Sequence, residues 1–301
     1  ESIVVNDRME TSVPDIYAAG DAVQVKHYVT GDDALISLAG PANKQGRIIA
    51  DNICGGDSHY LGSQGSSVIK VFDMTAATTG INETNAKKSG LEVDTVILSP
   101  MSHAGYYPGG KVMTMKVVFE KETYRLLGAQ IIGYEGVDKR IDVLATAIHA
   151  GLKATQLKDL DLAYAPPYSS AKDPVNMAGF MIDNIAKGTL KQWHLEDMDK
   201  ISKDKNVVLL DVRTVGEFNR GHMKGFNNIP VDELRERISE IEKGKPVYLI
   251  CQSGLRSYIA SRILEGNGYE TYNFSGGFRF YDTVVNDRAL IEMAYACGMD
   301  Y

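Results

Sequence analysis

The 301-residue chain has 32 basic and 39 acidic side chains, a formal net charge of −7, and 44% apolar residues. This composition is typical of a folded globular protein and excludes the disordered and fibrous classes, and the acidic balance offers no basic face for nucleic acid. No apolar run reaches the roughly 18 residues that cross a bilayer, so no membrane partner is expected. The length predicts two or three domains.

The chain has three cysteines, Cys54, Cys251 and Cys297, which form no disulfide framework. No pair of cysteines or histidines has metal-ligand spacing. We therefore expect no metal, and a reducing, cytoplasmic setting. The chain begins without Met, in the strand-like run Ile3-Val4-Val5, which favours a fragment of a longer protein.

The first segment, residues 1–60, predicts two strands, a loop and a helix. The run IYAAGDA at 16–22 is typical of a strand that ends in a tight Gly-Asp turn. Pro41 indicates the start of a helix that ends at Gly55-Gly56. Three isoleucines share one face of this helix, namely Ile48, Ile49 and Ile53.

The second segment, residues 66–188, predicts strands mixed with helices. A short polar turn joins the strands Val112–Phe119 and Leu126–Ile132, which favours a hairpin in an antiparallel α+β domain. Two further strands and two helices are indicated at Val68–Phe72, Val93–Leu98, Asn82–Gly90 and Asp138–His149. Residues 189–202 are polar and predict a flexible connector.

The third segment, residues 203–301, predicts an α/β domain. Val207–Val212 and Val247–Cys251 are continuous apolar runs, as in a parallel sheet that is covered on both faces. Helices are indicated at about 232–242 and 255–266. The fold class expected for the chain is therefore α+β followed by α/β.

A candidate reactive thiol lies at the end of the second of these runs. Cys251 precedes the loop Gln252-Ser253-Gly254-Leu255 and then Arg256 at a helix start. Such a loop directs backbone N–H groups at the sulfur, and these and the helix dipole favour an anion there. Gly254 permits a tight turn and Arg256 adds a positive charge. An inert buried cysteine is the alternative, but strand, Gly, Arg and helix together favour a reactive one.

Residues 203–301 resemble a single-domain rhodanese, a sulfurtransferase. Besides the cysteine loop, the resemblance rests on Leu209–Arg213, Glu217-Phe218, Gly221-His222, Ile229-Pro230 and Ser275–Phe278. It implies that Cys251 accepts sulfane sulfur as a persulfide, that Arg256 assists catalysis and that Asp211 and Arg213 tie the loop together. It also implies a substrate-binding role for the loop residues Gln252, Ser253, Gly254 and Leu255. Related cysteine phosphatases have one residue more between Cys and Arg, so this shorter loop favours a single sulfur atom over a phosphate.

The first segment resembles the last part of the flavin domain in pyridine nucleotide-disulfide oxidoreductases, through Thr11–Ala22 and Leu38–Arg47. The resemblance implies contacts with FAD at Asp21, Ala22 and Pro41. Asp21 would accept a hydrogen bond from a ribityl hydroxyl. The helix near Pro41 would direct its positive end at the flavin.

Residues 66–188 resemble the dimerisation domain of the same family, which implies a homodimer. Two stretches, Ser102–Gly109 and Tyr164–Pro174, are similar to coenzyme A-disulfide reductases and to their relatives, the NADH oxidases and persulfide reductases. The similarity implies that Tyr106 and Tyr164 donate phenol hydrogen bonds near the reacting sulfur, with Tyr164 also at the cofactor. Packing at a subunit interface is the alternative role for both tyrosines.

Two lysines, Lys44 and Lys172, fall where that subfamily binds coenzyme A, whose phosphates suit an ammonium group. The alternative is a solvated rim. The glycine-rich fingerprint for the FAD pyrophosphate, the N-terminal redox cysteine and the NADH domain are all absent from this sequence. Cys54 and Cys297 are interpreted as structural.

The expected function is FAD- and NADH-dependent reduction of coenzyme A disulfide, coenzyme A persulfide or polysulfide. It would be coupled to sulfur transfer, for example from thiosulfate, at a persulfide on Cys251. Two alternatives remain open: an NADH oxidase, and a rhodanese persulfide carrier or sensor with a non-catalytic dimerisation module.

Overall fold

Residues 2–296 are described by a computed structural model. They form two units: the first runs to Thr95 and resumes over Val117–Lys153, and the second takes Val96–Lys116 and the chain from Ala154 onward. The structural role predicted for Cys297 falls outside the described residues. The bounds expected for the three domains stay a prediction.

The N-terminal part is a small sheet followed by one long helix. β1 (Ile3–Val4) pairs parallel with β2 (Val23–Lys26), β2 pairs antiparallel with β3 (Asp33–Ala34), and α1 (Ala39–Ile53) follows. The strand expected at 16–22 is wrong. The chain makes a single bridge at Tyr17 and then a 3-10 turn, because Gly20 takes a φ of +79° that a strand does not allow.

Polar side chains, not the isoleucines alone, fix α1 in place. Ile53 is 64% exposed, so the predicted apolar face is wrong at that end of the helix. The buried positions are Gln45 and Asn52. The Oε1 atom of Gln45 accepts the Gly20 N–H at 2.7 Å, and Nδ2 of Asn52 donates to the Arg8 carbonyl at 3.1 Å. Hydrogen bonds therefore hold α1 to the neighbouring loops.

The middle of the chain forms a five-stranded sheet. Its elements are β4 (Ser67–Val71), β5 (Met74–Gly80), α2 (Glu83–Lys88), β6 (Val93–Leu98), β7 (Thr114–Glu120), β8 (Leu126–Gly133) and α3 (Val137–His149). The strand order is β4-β5-β8-β7-β6, with β5 antiparallel to both neighbours. The antiparallel sheet, its four predicted strands and both helices are confirmed. The sequence does not predict β5, because its Ala and Thr side chains give no apolar alternation.

The C-terminal part is a five-stranded parallel sheet in the order β11-β10-β12-β13-β9. Its elements, after α4 (Pro174–Ala186), are β9 (Gln192–Trp193), α5 (Met198–Ile201), β10 (Val208–Asp211), α6 (Val215–Arg220), β11 (Asn227–Asn228), β12 (Val247–Ile250), α7 (Leu255–Glu265), β13 (Thr271–Phe274) and α8 (Gly277–Ala296). Successive residues of β12 face opposite sides. Leu249 and Cys251 enter one apolar cluster and Ile250 enters the other.

Two expectations for this part are wrong. The helix at 232–242 is replaced by turns and a short 3-10 turn at Ile238–Glu240. Its backbone uses short-range hydrogen bonds such as Glu236 N–H to the Glu233 carbonyl, and Leu234 and Ile241 are buried in the same cluster. Packing of these two side chains outweighs the helical pattern.

The polar connector at 189–202 is the second wrong expectation, because this segment is part of the parallel sheet. β9 pairs with β13, and Trp193 is only 2% exposed and packs on Phe274 with ring centroids 4.4 Å apart. Lys191 pairs with Glu270, and Arg262 donates to the Thr189 carbonyl. The segment is polar because its charged side chains lie at the edge of the sheet, and it is not a free tether.

Candidate active site

Cys251 lies at the carboxyl end of β12, where loops gather at the edge of a parallel sheet. Its Sγ accepts a hydrogen bond from the Gly254 N–H at 3.1 Å and one from the Ser257 hydroxyl at 3.2 Å. The side chain is 1% exposed and packs against Leu249 and other apolar residues. Two donors therefore converge on a sulfur that is otherwise surrounded by apolar atoms, which favours an anionic sulfur at that point.

Gly254 is held in position through both its N–H and its carbonyl group. Gly254 has a φ of +104°, a conformation that suits glycine, and this turns its N–H toward Sγ. Its carbonyl accepts hydrogen bonds from Nδ2 of Asn273 at 3.2 Å and from the Tyr258 N–H, and it lies 3.1 Å from the Ser257 hydroxyl oxygen, whose single proton is shared between this carbonyl and Sγ. Asn273 thus holds the residue whose amide N–H faces the sulfur.

A second glycine brings the start of α8 against the cysteine loop. A Cβ on Gly277 would lie 2.7 Å from the Gln252 carbonyl oxygen, so only glycine allows this approach. The Phe278 N–H donates to the Cys251 carbonyl at 2.8 Å, and the Arg279 N–H donates to the Gln252 carbonyl at 3.2 Å. The first amides of α8 therefore hold the loop at Cys251 and Gln252.

A buried ion pair contacts the same loop through Gln252. Arg213 is 1% and Asp211 0% exposed, and the guanidinium donates to both carboxylate oxygens through Nε and Nη2. It also donates to the Gly221 carbonyl at 2.8 Å and reaches Oε1 of Gln252 at 3.4 Å. The Cζ atom of Arg213 lies 3.8 Å from the ring centroid of Phe278. The structure therefore connects Asp211 and Arg213 to the cysteine loop through Gln252.

The sequence suggested that Arg256 places a free positive charge above the sulfur. In the structure Arg256 is instead paired with Glu217. Both terminal nitrogens of Arg256 lie 2.7 Å from the Glu217 carboxylate. The hydrogen bonds from Arg256, and then those from Thr214, lower the pKa of Glu217 to about 2. The pKa of Arg256 is raised, first by Glu217 and in smaller part by the charges of Cys251 and Asp211. The charge near Cys251 is thus largely neutralised.

The rim of the cysteine loop is open. Ser253 and Leu255 are exposed, Leu255 to 66%, while Gln252 and Gly254 are half-buried. An incoming sulfur donor would therefore meet these backbone groups before it reaches Sγ.

Tyr106 and Tyr164, which are far apart in the sequence, are brought together. Their hydroxyl oxygens lie 2.8 Å apart, and the side chains are 78% and 45% exposed. The hydrogen bond to Tyr106 raises the pKa of Tyr164 above its ordinary value. The pair therefore keeps a phenol proton available at neutral pH on an accessible surface.

The residues predicted to contact a cofactor lie around the start of α1. Asp21 and Ala22 are exposed in the 3-10 turn that packs on α1. The helix begins at Ala39, two residues before Pro41, and its N-cap residue Leu38 supplies no side-chain hydrogen bond. An exposed carboxylate accepts hydrogen bonds, and uncapped amides at a helix start attract negative charge. Together they match the hydroxyl groups and the ring of a flavin. Tyr164 belongs to the other unit.

Lys44 lines a groove of about 810 Å³ between α1 and α3. Arg47, His149 and Tyr28 line it too, and the Tyr28 ring stacks on His149 with centroids 5.2 Å apart. Lys172 lies in the other unit, exposed, with its ammonium 5.8 Å from the Phe180 ring centroid. The two lysines belong to different units.

Two family models match the chain. The dimerisation domain of the pyridine nucleotide-disulphide oxidoreductases matches residues 66–174, and the rhodanese-like domain matches residues 194–282. The chain combines these two domains. The antiparallel and parallel sheets described above are their respective frameworks.

Solved structures and a curated relative agree with this combination. The crystal structure of reduced Bacillus anthracis CoADR-RHD is 48% identical, with a TM-score of 0.92 over 95% of this chain and 52% of that one. An NAD-dependent persulfide reductase from A. fulgidus is 41% identical, with a TM-score of 0.85 over 93% and 50%. The NAD(P)H sulfur oxidoreductase (CoA-dependent) of Pyrococcus abyssi is 40% identical over 174 residues, which are 58% of this chain and 39% of that protein. This chain spans about half the length of these relatives, or less.

Neither a metal centre nor a membrane span is found over residues 2–296. No cluster of three or more His, Cys, Asp or Glu side chains with metal-binding geometry occurs among the described residues. In the same part of the chain, no helix has both the length and the apolarity that crossing a membrane requires. Cys54 is exposed at the end of α1 and is unpaired.

Sequence reasoning missed two residues of the rhodanese site, Ser257 and Asn273. Ser257 directly follows Arg256, so the first turn of a helix next to a reactive thiol was the available signal. No local sequence signal indicated Asn273, because its side chain contacts Gly254 only when β13 lies beside β12.

The Glu217–Arg256 pair predicts a pH-dependent stability. Because the pKa of Glu217 is lowered to about 2, its ion pair stabilises the folded state fully above the unfolded-state pKa of roughly 4.3, and this contribution is lost as pH falls toward 2. Glu217→Gln should lower the free energy of unfolding by about 1–2 kcal/mol at pH 7, and the difference from wild type should shrink at pH 3 to 4. Urea unfolding across this pH range measures it.

The matched control is Glu242→Gln, which removes a surface pair with Lys245. It should change the free energy of unfolding little at any pH. If Glu217→Gln lowered the free energy of unfolding equally at pH 7 and pH 3, the lowered pKa of Glu217 in its pair with Arg256 would be contradicted.

Proposed function

We propose that Cys251 of the rhodanese domain carries sulfane sulfur as a persulfide. The observation that carries this proposal is the convergence of the Gly254 N–H and the Ser257 hydroxyl on Sγ. Both donors stabilise negative charge on sulfur, which the nucleophile bears before attack and the leaving thiolate bears after transfer. The four-residue spacing from Cys251 to Arg256 leaves a small loop, which suits one added sulfur atom better than a phosphate.

The proposed transfer proceeds in two balanced steps. The Cys251 thiolate attacks the outer sulfur of a donor such as thiosulfate, whose S–S bond breaks as sulfite leaves with the bonding electron pair. A new S–S bond at Sγ gives the persulfide. A second nucleophile then takes the terminal sulfur, and Sγ leaves as the thiolate. The Asp211–Arg213 pair does not touch the sulfur in this scheme and holds Gln252, hence the loop, in place.

The dimerisation domain supports a wider proposal, by comparison with relatives of which this chain spans about half. We propose a homodimeric flavoenzyme that uses FAD and NADH to reduce coenzyme A disulfide, coenzyme A persulfide or polysulfide. The relatives named for persulfide reduction and for a CoA-dependent sulfur reaction support it, and the match to the persulfide reductase covers 93% of this chain. Bound FAD would relay two electrons from the nicotinamide to the S–S bond of the sulfur substrate.

In this proposal, Asp21, Ala22 and Pro41 bind one end of the flavin. The exposed Asp21 carboxylate would accept a hydrogen bond from a ribityl hydroxyl of FAD. The uncapped start of α1 would face negative charge on the flavin ring. These contacts cover only the sugar and ring end of FAD.

Two further sets of residues would serve the sulfur substrate. Tyr106 and Tyr164 would donate phenol hydrogen bonds near the reacting sulfur, since their hydroxyl groups lie together on an open surface. Lys44, together with Arg47 in the groove beside α1, and separately Lys172, would bind the phosphates of coenzyme A.

Substitution of the two described cysteines tests the sulfurtransferase proposal. Cys251→Ser should reduce thiosulfate:cyanide sulfurtransferase activity to background, because a hydroxyl forms no persulfide under these conditions. Cys54→Ser is the matched control and should retain full activity, since Cys54 lies exposed at the end of α1. Full activity in Cys251→Ser would refute the assignment.

The tyrosine pair can be tested without the flavin. Because its hydrogen bond to Tyr106 raises the pKa of Tyr164, Tyr106→Phe should lower the Tyr164 pKa toward the value of a free tyrosine. NMR titration of ring-labelled tyrosines measures this shift. Tyr134→Phe, which changes an exposed tyrosine of the other unit, should leave the Tyr164 titration unchanged. An unchanged Tyr164 pKa in Tyr106→Phe would mean that the pair does not form.

A further inference from the structure

One hydrogen bond joins the dimerisation sheet to the rhodanese domain inside the second unit. The Ile97 N–H of β6 donates to the Ser275 hydroxyl at 3.0 Å, across 178 positions of sequence. Ile97 is 7% and Ser275 3% exposed. β6 is the last strand of its sheet, and edge strands of this kind present unpaired N–H groups that need a partner. Ser275 supplies that partner.

On the rhodanese side, Ser275 is directly connected to the sulfur loop. Its own N–H donates to the Trp193 carbonyl at 3.0 Å, which fixes it at the end of β13. The next residues are Gly276 and Gly277, both with positive φ, and Gly277 lies in close contact with the Gln252–Ser253 backbone. Ser275 is therefore two residues away from the glycine that contacts the loop of Cys251.

On the other side, β6 leads into the segment 99–116, which carries Tyr106. Backbone hydrogen bonds fold this segment on itself, from Met113 to Pro100 and from Ser102 to Lys111. The Ala104 N–H also donates to the Ser169 carbonyl at 3.0 Å, and Tyr106 meets Tyr164 as described above. The ten residues from Ile97 to Tyr106 therefore connect the shared hydrogen bond to the tyrosine pair.

We propose that Ser275 is a positioning residue that couples the state of the sulfur loop to the tyrosine-bearing segment 99–116. A persulfide adds one sulfur atom inside a loop whose Gln252–Ser253 backbone is in close contact with Gly277, so loading shifts Gly277. Through Gly276 and Ser275 that shift changes the hydrogen bond on Ile97 and the position of β6. The inference rests on the proposed function, because it requires Cys251 to become a persulfide.

Hydrogen–deuterium exchange on the unloaded and the persulfide forms of this chain tests the coupling. The protein is loaded with thiosulfate, sulfite is removed, and intact mass confirms one added sulfur atom in each sample. In wild type, loading should change the exchange rate of peptides spanning 96–116 by at least about threefold. In Ser275→Ala, the Ile97 amide loses its acceptor and should exchange roughly tenfold faster in both forms, and the response of 96–116 to loading should disappear.

The matched control is Ser261→Ala. Ser261 is equally buried in the rhodanese domain, but its hydroxyl donates to the Tyr258 carbonyl of its own helix. This variant should keep the loading response of wild type. A purely structural role of Ser275 would speed exchange of Ile97 yet leave the loading-dependent difference across 99–116 intact, which would overturn the proposal.

The two proposals fail in distinguishable ways. If thiosulfate adds no sulfur to wild type, the proposed function fails. If sulfur is added and segment 96–116 exchanges identically in both forms, the coupling alone is refuted, and this result needs no variant. Persistence of the response in Ser275→Ala also refutes it.

Discussion

The buried contact between Arg213 and Asp211 is the interaction on which the rhodanese site depends. Both side chains are almost fully withdrawn from water, which is costly unless every hydrogen-bonding group finds a partner. The guanidinium meets this condition with the carboxylate, the Gly221 carbonyl, Gln252 and the Phe278 ring. One side chain thereby joins β10, the end of α6, the cysteine loop and the start of α8.

This arrangement brings hydrogen-bond donors to a sulfur that lies in an otherwise apolar pocket. The parallel sheet brings the ends of β10, β12 and β13 to one edge, and each contributes one part of the site. β10 supplies Asp211, β12 supplies Cys251, and β13 supplies Asn273 and Ser275. Arg256 is neutralised by Glu217, so oriented amide and hydroxyl dipoles, rather than a free cation, face Sγ.

The sequence predicted the part of the site that is local in the chain. Cys251, its loop and α7 follow one another within a few residues, so strand, glycine and helix signals sufficed. The contribution of Asn273 and the interaction of Ile97 with Ser275 depend on how distant strands are placed, and local patterns carry no information on that. The same holds for Trp193, whose flanking polar residues predicted a connector although its indole is buried in the sheet.

Replacement of Arg213 by lysine tests the central claim most directly, because lysine keeps the charge opposite Asp211 but cannot reach Gln252 and Gly221 together. The rate of persulfide formation on Cys251 with thiosulfate, followed by intact mass, should fall at least about tenfold in Arg213→Lys. Arg237→Lys, which alters an exposed ion pair with Glu233 and Glu240, should load at the wild-type rate. An Arg213→Lys protein that forms the persulfide as fast as wild type would contradict the account.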